Sequence, residues 1–474
     1  MRVCLYIYYI YMYTNNFNQF PIKHHHNTMS HGVNFHGNSL PTVNYSNSIS
    51  EEFPNNNRSY KIESGISNRY IRDHLPINAN VTNATVSDNY IEFVLNSNQQ
   101  EFFDLNSFTL ELKIKINNPN GEDLGKDTKL TVIDGLGHRI LSKCTLFLNG
   151  TPCESNSYFG LFNTIKSYLN MDKEVLSSIG RNMYYKDIKT TIYDNISNDS
   201  FTNLTKDEEN IQQECMDIIH LMIPLTLDLS SSNFYLMNGV DIRLRFDLSP
   251  PNIVINSSDT ITNFNYSIQT VKLWTQQIVP NPDALFSLNK NLLTNNSNIE
   301  YIFERPIIKN FVFPSGHSIL SLDNIFNGVI PHKLYVFFIR QTAVNGSYKY
   351  NASYLTHCNI SSLQLQINGN NITSLNGSFP KHIANIFHHT MMNLKNDKNL
   401  LSLENFKNGR TIFTWDLRNS DCDDVLPIER SGNLRLTIQT SIPIKDNVIA
   451  YVVGMTTGLI EIDAAKRVKT SYLM

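Results

Sequence analysis

Twice in 474 residues the chain runs an alternating apolar strand into Asn-Gly and then, after a polar turn, into an amphipathic helical stretch. The first copy is Leu146, Phe147, Leu148, Asn149, Gly150, followed by a helical pattern near Tyr158 to Leu169. The second is Leu365, Gln366, Ile367, Asn368, Gly369, followed by one near Pro380 to Leu394. Asn-Gly between alternating strands is a strong local hairpin signal, because both residues tolerate the positive φ angles that a two-residue turn demands. Asn149, Gly150, Asn368 and Gly369 are therefore expected as matching structural turns of two similar β-rich domains.

Length and composition fit that duplication. A chain of 474 residues exceeds one ordinary core, since domains usually hold about 100 to 200 residues. Hydrophobic residues make up 41%, aromatics 11% and charged residues 17%, and the chain is rich in Asn, Ser, Thr, Tyr, Phe and Ile rather than helix formers. The net charge of -3 removes general phosphate binding as a property of the whole chain and leaves only a local basic patch open. No run reaches the roughly 18 apolar residues of a transmembrane span. Met1 to Thr14 is apolar and tyrosine-rich, with Arg2 its sole basic residue and no small-residue cleavage site, so it does not read as a secretory signal; Met29 is an alternative start. The Asn-x-Ser/Thr triplets at Asn80, Asn83, Asn203, Asn345 and Asn371 are what chance produces in such a composition.

Residues 1–85 show no sustained periodicity and are expected to form a flexible arm. From Tyr90 the pattern becomes strand-like. Phe108, Leu110, Leu112, Ile114 and Ile116 alternate with Thr109, Glu111, Lys113 and Lys115, and Ile242, Leu244 and Phe246 alternate with Arg243, Arg245 and Asp247. Asp187 to Asn210 reads as a long polar surface loop. About eight strand segments lie in 86–280, the count of a jelly roll. A linker at 281–298 opens with the helix-start pair Asn281-Pro282. The order then repeats over 299–463, where Lys333 to Arg340 has the continuous apolar run of a strand buried on both faces, and 464–474 is left as a tail. The fold class expected is all-β: two tandem eight-stranded jelly-roll sandwiches with short helices in the connections, each helical stripe covering an open edge or end of its sandwich.

Site chemistry is sparse. There is no phosphate loop, dinucleotide fingerprint, nucleophile elbow or zinc-protease helix, so neither enzyme activity nor a cofactor is expected. Gly135, Leu136, Gly137, His138 and Arg139 form the one glycine-rich loop with a His and an Arg; a lone Gly-x-Gly is a weak anion signature and more often a strand connection. Asp421, Asp423 and Asp424 lack the spacing of a calcium loop, and His24, His25 and His26 lack further ligands, so no metal site is assigned. The cysteines (Cys4, Cys144, Cys153, Cys215, Cys358, Cys422) contain no zinc-ribbon or redox pair and read as reduced thiols; Cys144 and Cys153 straddle the first Asn-Gly turn and read as small core residues. Such a chain reads as structural or binding rather than catalytic.

Several phrases in fixed order resemble a known family: Leu146 to Gly150; Tyr184, Tyr185, Lys186, Asp187; Phe311 to Asp323 with Pro314 and Gly316; Asn345 to Tyr348 with Asn351; Gly432 to Leu436; and Leu459 to Asp463. Over about residues 88–463 the chain resembles the double jelly-roll major capsid proteins of Polinton/Maverick-type elements and adintoviruses, including endogenous copies in invertebrate genomes. The resemblance implies two jelly rolls standing side by side, homotrimers forming pseudo-hexagonal capsomers, self-assembly into an icosahedral shell with a minor or penton capsid protein, and location in the virion after assembly inside the cell. It implies no enzyme activity and no recognition of a nucleic-acid sequence. A minor vertex protein usually has one jelly roll, which the duplication disfavours, and a carbohydrate- or receptor-binding sandwich would call for a secretory signal.

Overall fold

The computed structural model describes residues 66–74, 90–125, 128–187, 192–197, 200, 206–232, 234–258, 263–295, 298–379, 381–394, 398–418 and 430–472. All lie within one compact unit spanning 57–474.

Eight main strands build the first sandwich: β1 (Ile66–His74), β2 (Tyr90–Leu95), β3 (Phe102–Asn117), β4 (Leu141–Leu148), β5 (Thr151–Asn156), β6 (Ile218–Pro224), β7 (Ile242–Leu248) and β8 (Asn265–Pro280). They form two antiparallel sheets, β1-β8-β3-β6 and β2-β7-β4-β5. The second sandwich uses β9 (Ile299–Phe313), β10 (Ile319–Leu322), β11 (Lys333–Arg340), β12 (Ile360–Ile367), β13 (Asn370–Asn376), β14 (Ile412–Asp416), β15 (Leu434–Thr440) and β16 (Val448–Ile462), in sheets β9-β16-β11-β14 and β10-β15-β12-β13. Adding eight to each strand number of the first sandwich reproduces both sheet orders of the second. That interleaving, with the first strand beside the eighth and the second beside the seventh, is the double Greek key of a jelly roll. Each sandwich also carries a small extra ladder, Leu130–Val132 with Ile255–Ser257 and Val329–Ile330 with Arg430–Ser431.

Alternation explains the inner faces. Along β3 the residues Phe108, Leu110, Leu112, Ile114 and Ile116 are buried, while Thr109, Glu111, Lys113 and Lys115 stay partly exposed. Each fully buried Leu, Ile or Phe contributes roughly 1.5–3 kcal/mol of hydrophobic stabilisation. On β11 and β16 alternation is lost because both sheet faces are covered. Leu334, Val336, Phe338 and Val452 face the second sandwich's own core. Phe337, Ile339, Tyr451 and Val453 join the core of the first sandwich.

The boundaries shift from those read in the sequence. Ile66–His74, inside the 1–85 arm, is a strand paired to β8 from Ile66↔Pro280 to His74↔Leu273 and completes the first jelly roll. The rest of the described first sandwich begins at Tyr90, and the His24 to His26 run lies outside the described residues. The 281–298 linker contains the helix Pro282–Asn295. Inside the 464–474 tail, β17 (Val468–Tyr472) pairs with β16. The Asp187 to Asn210 segment is not wholly a surface loop: Ile192 and Ile196 are buried, Asn195 bridges to Tyr350 and the Ile196 N–H donates to the Lys349 carbonyl (2.7 Å), because this segment crosses to the second sandwich.

The two Asn-Gly turns have closely similar backbone geometry and hydrogen bonds. Asn149 and Gly150 (φ 46° and 79°) connect β4 to β5, and Asn368 and Gly369 (φ 52° and 81°) connect β12 to β13. In each copy the turn Asn also clamps the start of the seventh-position strand. The Asn149 N–H donates to the Asp241 carbonyl (3.0 Å) and its Oδ1 accepts from the Asp241 N–H (2.7 Å). The Asn368 N–H donates to the Asn433 carbonyl (2.9 Å) and its Oδ1 accepts from the Asn433 N–H (2.8 Å).

Candidate functional site: the seam between the two sandwiches

A dense, buried polar arrangement lies where the sandwiches meet. Its centre is Asp134, which precedes the Gly135–Arg139 stretch and is wholly buried. Gly135 takes a left-handed φ of 73°, and Leu136–Arg139 forms a single helical turn. On the far side, Arg410 comes from the residue pair leading into β14, and its side chain is 1% exposed. Arg410 Nη2 donates to Asp134 Oδ2 (2.8 Å) and to the Lys186 carbonyl (3.0 Å). Two further donors reach the Asp134 carboxylate, the Tyr168 hydroxyl on Oδ2 (2.7 Å) and the Lys186 N–H on Oδ1 (2.7 Å). The Ser353 hydroxyl donates to the Asp134 carbonyl (2.9 Å), and the Arg410 guanidinium lies 4.8 Å from the Tyr168 ring centroid. Three donors satisfy the Asp134 carboxylate, whereas Arg410 Nε and Nη1 are buried without a hydrogen-bond partner, so the pair is compensated on its acid side more fully than on its base side.

Around this centre the first sandwich contributes α1 (Phe159–Asn170), the first helical stripe. The Tyr168 carbonyl accepts from the Leu400 N–H (2.9 Å), Tyr158 meets Tyr451 edge-on at 5.7 Å, and the Tyr158 hydroxyl accepts from Asn310 Nδ2 (2.9 Å). Further along, Arg340 pairs with Asp194 (2.5 Å), the Tyr348 hydroxyl donates to the Phe264 carbonyl (2.9 Å) and the Ser257 N–H donates to the Tyr348 carbonyl (2.9 Å). The seam is thus continuous and contains both apolar packing and buried hydrogen bonds, the composition of a permanent interface.

The glycine-rich stretch belongs to this seam and offers nothing to a soluble anion. His138 is buried, shares a hydrogen bond with the Tyr185 hydroxyl (2.8 Å), and is pushed by burial down to about 4. Arg139 Nη2 donates across the seam to the Ala352 carbonyl (3.2 Å). A second buried set lies beside it. Glu154 on β5 accepts the Asp228 N–H on Oε2 (3.0 Å); burial pushes its carboxyl up to about 7 and pushes Asp228 up as well, with the Glu154 charge adding to the rise at Asp228. Glu304 on β9 behaves oppositely. Burial works against its charge, but the hydrogen bond from His332 (3.2 Å) and the Lys333 ammonium (3.4 Å) prevail and hold it at about 2.

Cys144, Cys153, Cys215 and Cys358 are buried, and burial pushes the Cys153 thiol up to about 12. Cys4, Cys422 and the Asp421, Asp423, Asp424 cluster lie outside the described residues. Among the described residues no three His, Cys, Asp or Glu side chains converge as metal ligands, and no helix is long and apolar enough to cross a membrane. A cleft lined by Lys186, Tyr193, Glu208, Gln212 and Asn351 encloses about 20 Å³, room for about one water. The hairpin turns lie away from Asp134, although Asn149 Nδ2 reaches the Lys466 carbonyl (2.8 Å) and so ties the first sandwich to the segment before β17. Asp134, Ser353 and Arg410 carried no sequence signal, and Tyr168 only that of the first helical stripe: Asp134 and Arg410 are 276 residues apart and belong to no motif.

No protein-family model matches the sequence, and no curated protein does. Solved structures do share its fold. A chain of the Sputnik virophage, solved by cryo-EM, superposes with a TM-score of 0.56 at 14% identity, covering 93% of both chains. The fold is the double jelly roll. The mavirus major capsid protein superposes at 0.50 with 11% identity over 94% of this chain and 97% of its own, and the Faustovirus major capsid protein at 0.52 with 8% identity over 83% and 90%.

Proposed function

We propose that this chain is a major capsid protein whose function is self-assembly. The observation that carries the reading is the complete second jelly roll. Two sandwiches with the same interleaved sheet order are fused through a permanent seam in one chain, and the likeness to capsid proteins of icosahedral viruses spans both. In this reading three copies form a pseudo-hexagonal capsomer of six sandwiches, and capsomers tile a virion shell closed by a separate minor or penton protein. Assembly takes place inside the cell. The phrases resembling Polinton/Maverick-type and adintovirus proteins support that lineage. The role of the seam is mechanical: it fixes one sandwich against the other so that a ring of six can close.

Electron microscopy of the full chain, alone and co-expressed with candidate penton proteins, tests this. Capsomers or shells are the expected products. A chain that stays monomeric at high concentration in both conditions contradicts the reading.

A further inference from the structure

Three basic residues, Lys466, Arg467 and Lys469, lie where β16 turns into β17, and two of them have carboxylate partners. Arg467 Nε donates to Asp463 Oδ2 (2.7 Å) and the Arg467 N–H to Asp463 Oδ1 (2.8 Å), so both oxygens of that carboxylate are taken. Lys469 Nζ lies 3.2 Å from Glu461 Oε2. Lys466 points the other way, onto the first sandwich. Among the described residues its Nζ meets only the Met237 thioether sulfur (3.8 Å), a weak acceptor, and no carboxylate lies within ion-pair reach. On the first-sandwich side Asp241 and Glu101 are engaged as well, by the Ser97 N–H (2.9 Å) and Asn98 Nδ2 (3.2 Å).

The groove that takes this side chain is built from distant parts of the fold. Gly239, shortly before β7, has a left-handed φ of 71°, and a Cβ there would lie 3.4 Å from Lys466 Cε and from both polar atoms of the Gln99 carboxamide. Glycine therefore leaves the lysine stem room beside Gln99. Met237 closes the groove; it is buried, and its N–H donates to the Tyr301 hydroxyl (3.0 Å). The backbone of Lys466 is fixed too. It has a left-handed φ of 62°, its N–H donates to the Asp463 carbonyl (2.9 Å) and its carbonyl accepts from Asn149 Nδ2 (2.8 Å). Lys466 is nevertheless partly exposed, which leaves small molecules access to it.

An ammonium laid against a thioether and a carboxamide, with the surrounding carboxylates engaged elsewhere, loses solvation and gains no counter-charge. Both effects favour the neutral amine, and burial pushes Lys466 down to about 8. We infer that Lys466 is a nucleophilic amine and a modification site, which takes acyl groups from activated donors such as thioesters. The amine nitrogen attacks the carbonyl carbon, the C–N bond forms as the C–S bond breaks, and the departing thiolate takes up the proton that the nitrogen loses. At pH 7.5 a lysine at the ordinary value of about 10.4 is neutral in about 0.1% of molecules, whereas one at about 8 is neutral in about a quarter. Part of that advantage is given back, since a less basic amine is a weaker nucleophile, as holds for thiols, and the site is partly covered; an excess of about tenfold is left. The acylated side chain is longer and uncharged, so it no longer fits between Gln99 and Met237. Acylation is therefore expected to lift the turn from the first sandwich, where Asn149 holds its carbonyl.

Limited acetylation of the full chain with S-acetyl-N-acetylcysteamine, followed residue by residue by peptide mass spectrometry from about pH 6.5 to about pH 9.5, tests this. Lys466 is expected to be acetylated about tenfold faster than Lys469 near pH 7.5, with its rate levelling off above about pH 8. Unfolding the chain in urea is expected to abolish the difference. Gln99→Glu is an exposed and nearly isosteric change that places a carboxylate beside the ammonium. It is expected to lower the Lys466 rate several-fold toward that of Lys469 and to leave the thermal midpoint unchanged. A Lys466 rate at or below that of Lys469 overturns the inference, and so does one that climbs to about pH 9.5 without levelling. A folded Gln99→Glu chain that keeps the full excess overturns it as well.

Discussion

At the scale of single residues, the seam depends on groups whose loss cannot be shared out. Asp134 is wholly buried and accepts from Arg410 Nη2, the Tyr168 hydroxyl and the Lys186 N–H together. Asp134→Ala strands a buried guanidinium and two further donors, so chemical denaturation is expected to show a loss of about 3–5 kcal/mol. A change below about 1 kcal/mol would mean that the pair does not hold the sandwiches. Two glycines make a sharper comparison. A Cβ on Gly150 meets nothing within 4 Å, so Gly150→Ala carries only the strain of a left-handed φ, about 1–2 kcal/mol. A Cβ on Gly160 would lie 2.3 Å from the His138 carbonyl oxygen and 2.4 Å from that of Leu141. Backbone oxygens cannot swing aside, so α1 must move off the Leu136–Arg139 turn. Gly160→Ala is expected to exceed Gly150→Ala in the same denaturation assay, at or beyond the ~1–3 kcal/mol typical of overpacking.

At the scale of elements, β5 and the turn after β6 carry a titratable pair. Glu154 and Asp228 both have pKa values raised above those of an unfolded chain, chiefly by burial, with Lys166 partly opposing both shifts and Arg305 opposing that of Asp228. An acid that binds its proton more tightly when folded contributes stability that is complete below its ordinary pKa of about 4.3 and is lost as pH rises through about 7. Glu304 has the opposite sign: its contribution is present above its ordinary pKa and disappears as pH falls through about 2. Thermal midpoints are therefore expected to decline between pH 5 and 8 in the parent and to decline less in Glu154→Gln, which keeps an acceptor for the Asp228 N–H. Parallel curves would contradict the assignment. The same scale shows which elements their sequences disclose. β3 announces itself because one face is buried and the other wet, and the Asn-Gly turns because few other pairs accept two positive φ angles. β1 does not, since Arg69, Arg72 and Asp73 give it the charge of an edge strand and only Tyr70 and Ile71 interrupt them. Ile192 and Ile196 sit among Asp, Asn and Ser, so nothing local reveals that they cross to the other sandwich. The Asp134 to Arg410 pair is equally silent because its spacing is created by the fold.

At the scale of the whole molecule, the chain is half of a symmetric idea. Its two jelly rolls share strand order, turn chemistry and the clamp from each Asn-Gly turn to the start of the seventh-position strand. In the proposed reading three such chains close a ring of six sandwiches. Cryo-electron microscopy of the purified full chain tests this most directly. The expected particle has three times the 54.3 kDa chain mass and six lobes around one axis, alternate lobes differing as the two sandwiches differ. A particle of two lobes, or a two-fold dimer burying like faces, would contradict the account.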